Sequence, residues 1–215
     1  MNQFIYSANP SRVLFGSGTS AQLAEEISAM GCSRALILST PQQAELAEKT
    51  RSDIGPLATG TFTNAVMHTP VAVTYEALKI TEQTSADCLV PVGGGSTIGL
   101  SKAIALHSGL PQIAIPTTYA GSEMTPILGQ TEDGVKTTQR TIKVLPKVVI
   151  YDVDLTLTLP TTLSVTSGIN AIAHAIEALY AENRNPVISM LAEEGIRALY
   201  RALDIISNKP SDFKA

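Results

Sequence analysis

Apolar and polar positions along this chain fall into two alternating patterns. Four short runs are almost unbroken: "RALILS" (34–39), "DCLVPV" (87–92), "PQIAIP" (111–116) and "KVVIYD" (147–152). They are rich in Val, Ile and Leu, are bounded by Gly or Pro, and predict strands buried on both faces, as in a parallel sheet. Between them, residues about 20–30, 41–51, 71–84 and 97–107 carry apolar positions at helical spacing. Strand and helix in alternation is the pattern of an α/β domain. Two segments break the pattern. Residues 127–144 contain "TEDGVKTT", in which Asp133-Gly134 favours a hairpin turn, so a β-excursion off the sheet is expected. Beyond "LTLTLPTT" the strands stop, and only helices are predicted, over about 163–181 and 186–207. The expected organisation is an α/β domain over 1–157 and the beginning of an all-helical domain over 158–215.

Composition narrows the class. The chain has 215 residues, 44% hydrophobic and 16% charged, which describes a globular chain rather than a disordered one. A net charge of -4 without a basic run argues against a nucleic-acid partner. No apolar stretch approaches the roughly 20 residues that span a bilayer, so no membrane partner is expected. The opening "MNQFIYSANP" lacks the basic-then-apolar order of a secretory signal. Cys32 and Cys88 lie far apart in sequence without metal-ligand spacing, and they predict reduced thiols in a cytoplasmic protein. The helical stretch, about 55 residues, is small for a core of its own. Either it packs on the first domain or the chain is a piece of something longer.

Three stretches carry candidate chemistry. In "VPVGGGSTIGLSK" (90–102) a buried strand runs through Gly93, Gly94, Gly95 and Ser96 into a helix. Glycines let a ligand approach the backbone, and a helix start offers free N–H groups to a phosphate. Ser96 is placed to cap that helix or to bond a phosphate oxygen. The pattern is neither G-x-G-x-x-G nor a P-loop. In "AIPTTYAGSEMT" (114–125) a strand ends in a hydroxyl-rich loop, which puts Thr117, Thr118, Tyr119 and Ser122 at the carboxyl end of a sheet, where α/β proteins bind ligands. In "SGINAIAHAIEALYA" (167–181), Asn170, His174 and Glu177 share one helix face. A carboxylate one turn from an imidazole would be half of a divalent metal site, but position 170 is an amide, a poor transition-metal ligand. A lone helical histidine is more often a satisfied core or groove residue. Lys136, Arg140, Lys143 and Lys147 form a basic group able to hold an acidic substrate, or simply the solvated face of the hairpin.

Taken in order, "GGGSTIGLSKAIAL", "PTTYAGSEMTPI", "VIYDVDLTLTLP" and "SGINAIAHAIEALYA" resemble the iron-containing alcohol dehydrogenase superfamily, and within it the branch of maleylacetate reductase. The resemblance implies a dehydroquinate synthase-like fold: a Rossmann-like, parallel-sheet dinucleotide-binding domain followed by a helical one. It implies that Gly95 and Ser96 hold the pyrophosphate while Gly93 and Gly94 shape the turn. Thr117 and Thr118 would meet the nicotinamide side. Ser122 lies in a loop one residue shorter than in metal-dependent members. Lys136 matches a cofactor-contacting lysine, and Leu163 an apolar residue beneath the cofactor. The strand ending at Ser39 offers neither an acid for a ribose hydroxyl nor an arginine for a 2'-phosphate, so NADH and NADPH are both expected cofactors.

Metal-dependent members have aspartate where this chain has Asn170 and Gly99, and use His174 as the next ligand; no metal is therefore expected here. Members are also much longer than this chain. The implied reaction is hydride transfer from NADH or NADPH to the C=C bond of 2-maleylacetate, giving 3-oxoadipate in aromatic-compound breakdown. His174 would donate a hydrogen bond or proton and Asn170 would orient substrate or water. Such members are commonly homodimers. Two rivals stand beside this expectation: a metal-dependent alcohol or polyol dehydrogenase, and a non-catalytic dinucleotide-binding fragment.

Overall fold

The structure is a computed structural model and describes residues 3–6, 8 and 11–208. The chain runs through β1 (Arg12–Gly16), α1 (Leu23–Ala29), β2 (Ala35–Leu38), α2 (Ala44–Ile54), β3 (Ala58–Phe62), α3 (Val71–Gln83), β4 (Cys88–Gly93) and α4 (Gly95–Ser108). It continues through β5 (Ile113–Pro116), β6 (Ile127–Glu132), β7 (Val135–Arg140), β8 (Val148–Asp152), α5 (Thr161–Tyr180) and α6 (Pro186–Asn208). Six strands make one parallel sheet in the order β1-β8-β5-β4-β2-β3. This is the α/β class expected from the alternation of apolar runs and helices.

Successive residues of a strand point to opposite faces, and here both faces are covered. Ala35 and Ile37 of β2 pack with Leu23 and Ile27 of α1 and with Ala47 and Ile54 of α2. Leu36 and Leu38 pack with Ala77 of α3 and with Leu100 and Ile104 of α4. Every residue of β2, β4 and β5 is buried, which is why these strands read as unbroken apolar runs. The hairpin β6–β7 stands apart as a two-stranded antiparallel ribbon. Asp133 and Gly134, with φ of 48° and 78°, supply the two left-handed turn residues that a tight hairpin needs.

The chain divides into two compact units. The sheet unit extends to Thr117 and takes up Gly121–Leu155; the helical unit contains Thr118–Ala120 and resumes at Thr156. In the helical unit α5 and α6 meet at Gly168, where an added Cβ would stand 2.6 Å from Leu203 Cδ2.

Candidate functional site

The sheet order creates the site. From β2 the chain passes through α2 to β3 on one side, whereas from β4 it passes through α4 to β5 on the other. Since β2 and β4 are neighbours, their connections diverge and open a crevice beyond their carboxyl ends. Two turns border it, residues 39–43 after β2 and 93–96 after β4.

The glycine turn is close-packed. Gly93 has φ of 156°, and a Cβ there would meet Thr97 Oγ1 at 2.5 Å and Gln43 Oε1 at 2.6 Å. Gly94 is the N-cap of α4, in extended conformation and without a side-chain cap. Ser96 is therefore not the cap; the helix begins two residues earlier than a serine cap would place it. The first N–H groups of a 14-residue helix thus lack a capping side chain. Thr97 is 0% exposed and its hydroxyl has no hydrogen-bond partner. A tight glycine turn, an uncapped helix start and an unpaired buried hydroxyl fit a phosphate better than they fit empty packing.

Gln43 was not singled out from the sequence, where "PQQ" reads only as a helix start. Its amide lies across Gly93 and donates from Nε2 to Thr117 Oγ1 at 2.8 Å. Thr117 is buried and donates its N–H to Gly93 O at 3.2 Å. Gly93, Thr97, Thr117 and Gln43 therefore form one cluster at the crevice. Ser39 is fully buried and turned back on its own chain, donating to Thr40 O at 3.1 Å. Lys136 is exposed on β7, and so is Arg140. Lys143 and Lys147 are also exposed, as a solvated face requires. Leu163 on α5 is 45% exposed.

Gly99 faces a neighbour that explains the lack of a side chain. An added Cβ would collide with Thr69 Oγ1. Thr69 and His68 both hold positive φ, 46° and 66°, so the loop before α3 is strained into place over the first turns of α4. A side chain at 99 would have to turn the Thr69 hydroxyl aside.

Lys102 is a residue that sequence reasoning passes over, although a signal for it exists. It sits in "TIGLSKAIAL", a helix with no polar face, and Thr97, Ile98 and residues 100–105 are all buried. The ammonium reaches the segment after β5, to Ser122 O, Thr125 O and Ile127 O. The hydroxyl of Ser122, another residue expected at the cofactor, faces this ammonium at 3.3 Å. Burial pulls the Lys102 pKa down to about 8, against an opposing push from Glu123.

On α5, Asn170 and His174 are exposed and on one face. His174 Nδ1 lies 3.2 Å from Glu177 Oε2. Among the described residues no group of three His, Cys, Asp or Glu donors includes His174. An imidazole with an amide one turn away does not by itself fit iron or zinc. Three such donors do converge at the amino end of β4, where Cys32, Asp87 and Cys88 lie within 4.8 Å of one another. The Asp87 carboxylate is already taken by Ser33 N at 2.8 Å and Arg34 N at 2.9 Å, and burial pushes both thiols up. That cluster fastens β2 to β4 and offers no ready thiolate. A cavity of about 690 Å³ in the helical unit, lined by Phe4, Ile5, Tyr180 and Arg184 among others, contains none of the sequence candidates.

A doubly wound α/β unit with a glycine turn at its switch point, followed by a helical unit, is the architecture of a family. The chain belongs to the iron-containing alcohol dehydrogenase family: the profile described as "Iron-containing alcohol dehydrogenase" matches residues 10–153. That of the "Fe-containing alcohol dehydrogenase family, C-terminal" matches 164–215. Within it, the chain is 58% identical over 215 residues to a maleylacetate reductase of Rhizobium sp. (strain MTP-10005), covering 100% of this chain and 61% of that protein. It is 55% identical to a maleylacetate reductase of Sphingobium indicum, covering 99% of this chain and 60% of that one. The crystal structure of maleylacetate reductase from Agrobacterium tumefaciens superposes with a TM-score of 0.97 at 58% identity, over 99% of this chain and 61% of that chain. The chain thus spans about 61% of the length of such relatives.

Proposed function

We propose that this chain carries out NADH- or NADPH-dependent reduction of 2-maleylacetate to 3-oxoadipate. The observation that carries the reading is 58% identity, across all of this chain, to a protein named maleylacetate reductase. The glycine cluster supports the cofactor part. Gly95 and Ser96 would hold the pyrophosphate, Gly93 and Gly94 would keep the turn free of side chains, and the hydroxyls of Thr97 and Thr117 would bond polar groups of the ligand. Ser39, Thr118, Ser122, Lys136 and Leu163 belong to the same proposal as further cofactor contacts. When bound, the reduced nicotinamide supplies a hydride. The receiving alkene is conjugated to a carbonyl and already electron-poor, so hydrogen-bond donors suffice to stabilise the developing enolate. His174 donates that bond or the proton that ends on carbon. Glu177 accepts from its Nδ1–H, so donation to the substrate from Nε2 calls for the imidazolium, which carries a hydrogen on both nitrogens. Asn170 orients the substrate or a water. With an amide at 170 and a glycine at 99, where a carboxylate ligand would otherwise stand, the proposal includes no metal ion.

The test is NADH consumption with maleylacetate by this chain, before and after chelation. Expected are turnover that survives chelation and a loss of about 10²–10⁴-fold in kcat for His174→Ala. Near-normal kcat in that variant removes His174 from the chemistry. Stoichiometric iron or zinc required for turnover replaces the reading with the metal-dependent alcohol or polyol dehydrogenase. NADH binding without turnover favours a second reading, a non-catalytic dinucleotide-binding fragment; the observation behind it is the 61% coverage of relatives. A homodimer is part of the proposal. β1 is an edge of the sheet, and Val13 and Phe15 on it are 47% and 75% exposed, a surface a second copy can cover. The unpaired thiols of Cys32 and Cys88 suit the reducing cytoplasm.

A further inference from the structure

Lys102 takes no part in the proposed chemistry, yet its side chain is completely buried, at 0% exposure. An ammonium out of water is costly unless other groups replace its hydration shell. Here one short stretch of chain does so. Nζ donates to Ser122 O, to Thr125 O at 2.7 Å, to Thr125 Oγ1 at 3.0 Å and to Ile127 O at 2.9 Å, with Ser122 Oγ at 3.3 Å. Three N–H hydrogens are shared among these oxygens, and three of the oxygens are main-chain carbonyls. Glu123 in the same stretch is also buried and is fixed by the Tyr151 hydroxyl, which donates to its Oε1 at 2.8 Å.

The placement has a direction. The loop after β5 leaves the sheet at Thr117, which is tied to Gly93 O and to Gln43 at the crevice. The loop returns through residues 122–127, which are tied to Lys102. Lys102 stands two turns beyond Gly95 on α4, so one helix turns its uncapped start to the crevice and fastens the far end of the loop. A helix without a polar face gains nothing from a lysine for its own packing. A methionine would fill the same space at less cost.

We propose that Lys102 is a positioning residue for the cofactor site. Its buried ammonium organises residues 122–127 and so holds the hydroxyl loop between β5 and β6 in the shape that receives the dinucleotide. The ligand in this statement rests on the dinucleotide reading above; the ordering of the loop does not.

The test compares the 215-residue chain with Lys102→Met and Lys102→Arg. Amide hydrogen exchange is followed over peptides covering 117–127 and, as a control, β4, β5 and β8. NADH affinity is measured by fluorescence titration. In Lys102→Met the loop amides exchange about tenfold faster while the strands are unchanged, and NADH binds about tenfold more weakly, as expected when buried carbonyls lose their donor. Lys102→Arg, which keeps the charge, recovers most of both effects. Unchanged exchange and affinity in Lys102→Met overturn the proposal. So does faster exchange spread evenly over strands and loop, which is the mark of a general packing role. If Lys102→Met does not fold, Thr125→Val decides, since it removes one acceptor only: faster loop exchange with unchanged strands supports the proposal, and no change overturns it. If the wild-type chain fails to bind NADH, the dinucleotide reading falls, whereas the exchange comparison still decides what Lys102 does to the loop.

Discussion

Asp152 illustrates what one carboxylate contributes at the end of a buried strand. It closes β8 at 3% exposure and accepts from Gly18 N and Ser20 N at 3.0 Å each, from the Ser20 hydroxyl and from Asp154 N at 3.2 Å. Burial alone pushes this carboxyl up, but bonds from Ser20, Gly18 and Asp154 outweigh it and hold the pKa below the usual carboxylate range. The folded pKa is depressed, so the stabilisation is present above the unfolded value of about 3.9 and is lost as pH falls through the folded one. Asp152→Asn keeps the shape and removes the charge. It should destabilise the chain by about 1–3 kcal/mol at neutral pH in urea titrations. The variant's stability should also fall less than the wild type's between neutral and acid pH; parallel profiles would refute the assignment. Residues of this kind are hard to read from sequence. Asp152 reads only as the last residue of a predicted strand, and Gln43 as part of a helix start. The glycine cluster was legible because three consecutive glycines have a steric meaning wherever they occur.

At the scale of elements the legibility follows burial. The strands expected at 34–39, 87–92, 111–116 and 147–152 are β2, β4, β5 and β8, the four interior strands of the sheet. The two strands that gave no apolar run, β1 and β3, are its edges. β3 reads "ATGTF" and is half-buried along most of its length, so tertiary pairing rather than sequence pattern makes it a strand. Helices were legible from period alone, but not how closely they approach. Gly168 is an example: an added Cβ would lie 2.6, 3.1 and 3.2 Å from Leu203 Cδ2, Cδ1 and Cγ, so the whole end of that side chain would have to move. Gly168→Ala gains helix propensity of about 1 kcal/mol at most. Overpacking costs about 1–3 kcal/mol. The net expectation is a loss of thermal stability, read as a lower melting temperature of α5 and α6; a raised one would mean that Leu203 yields freely.

The two units of the whole molecule differ in what holds them. Among the described residues, the buried apolar side chains lie almost entirely in the sheet unit; Ala192 and Leu203 are those that belong to the helical unit. On α5 and α6, Ile169, Ile176 and Leu191 are 55%, 46% and 61% exposed instead. Burial of apolar area is the main favourable term in folding, and a helix pair with so little of it cannot match a sheet covered on both faces. The opening free energies of the two units should therefore separate. Native-state hydrogen exchange should give amides of β2, β4 and β5 the highest protection, and amides of α5 and α6 a lower one set by local opening of the helix pair. A chelator or a change of pH near neutrality should leave that order intact, since it follows from area buried and not from charge. Equal protection in α5 and in the central strands would show that the helices draw their stability from contacts beyond their own pairing, and the account of the helical unit as the weakly held part would fail.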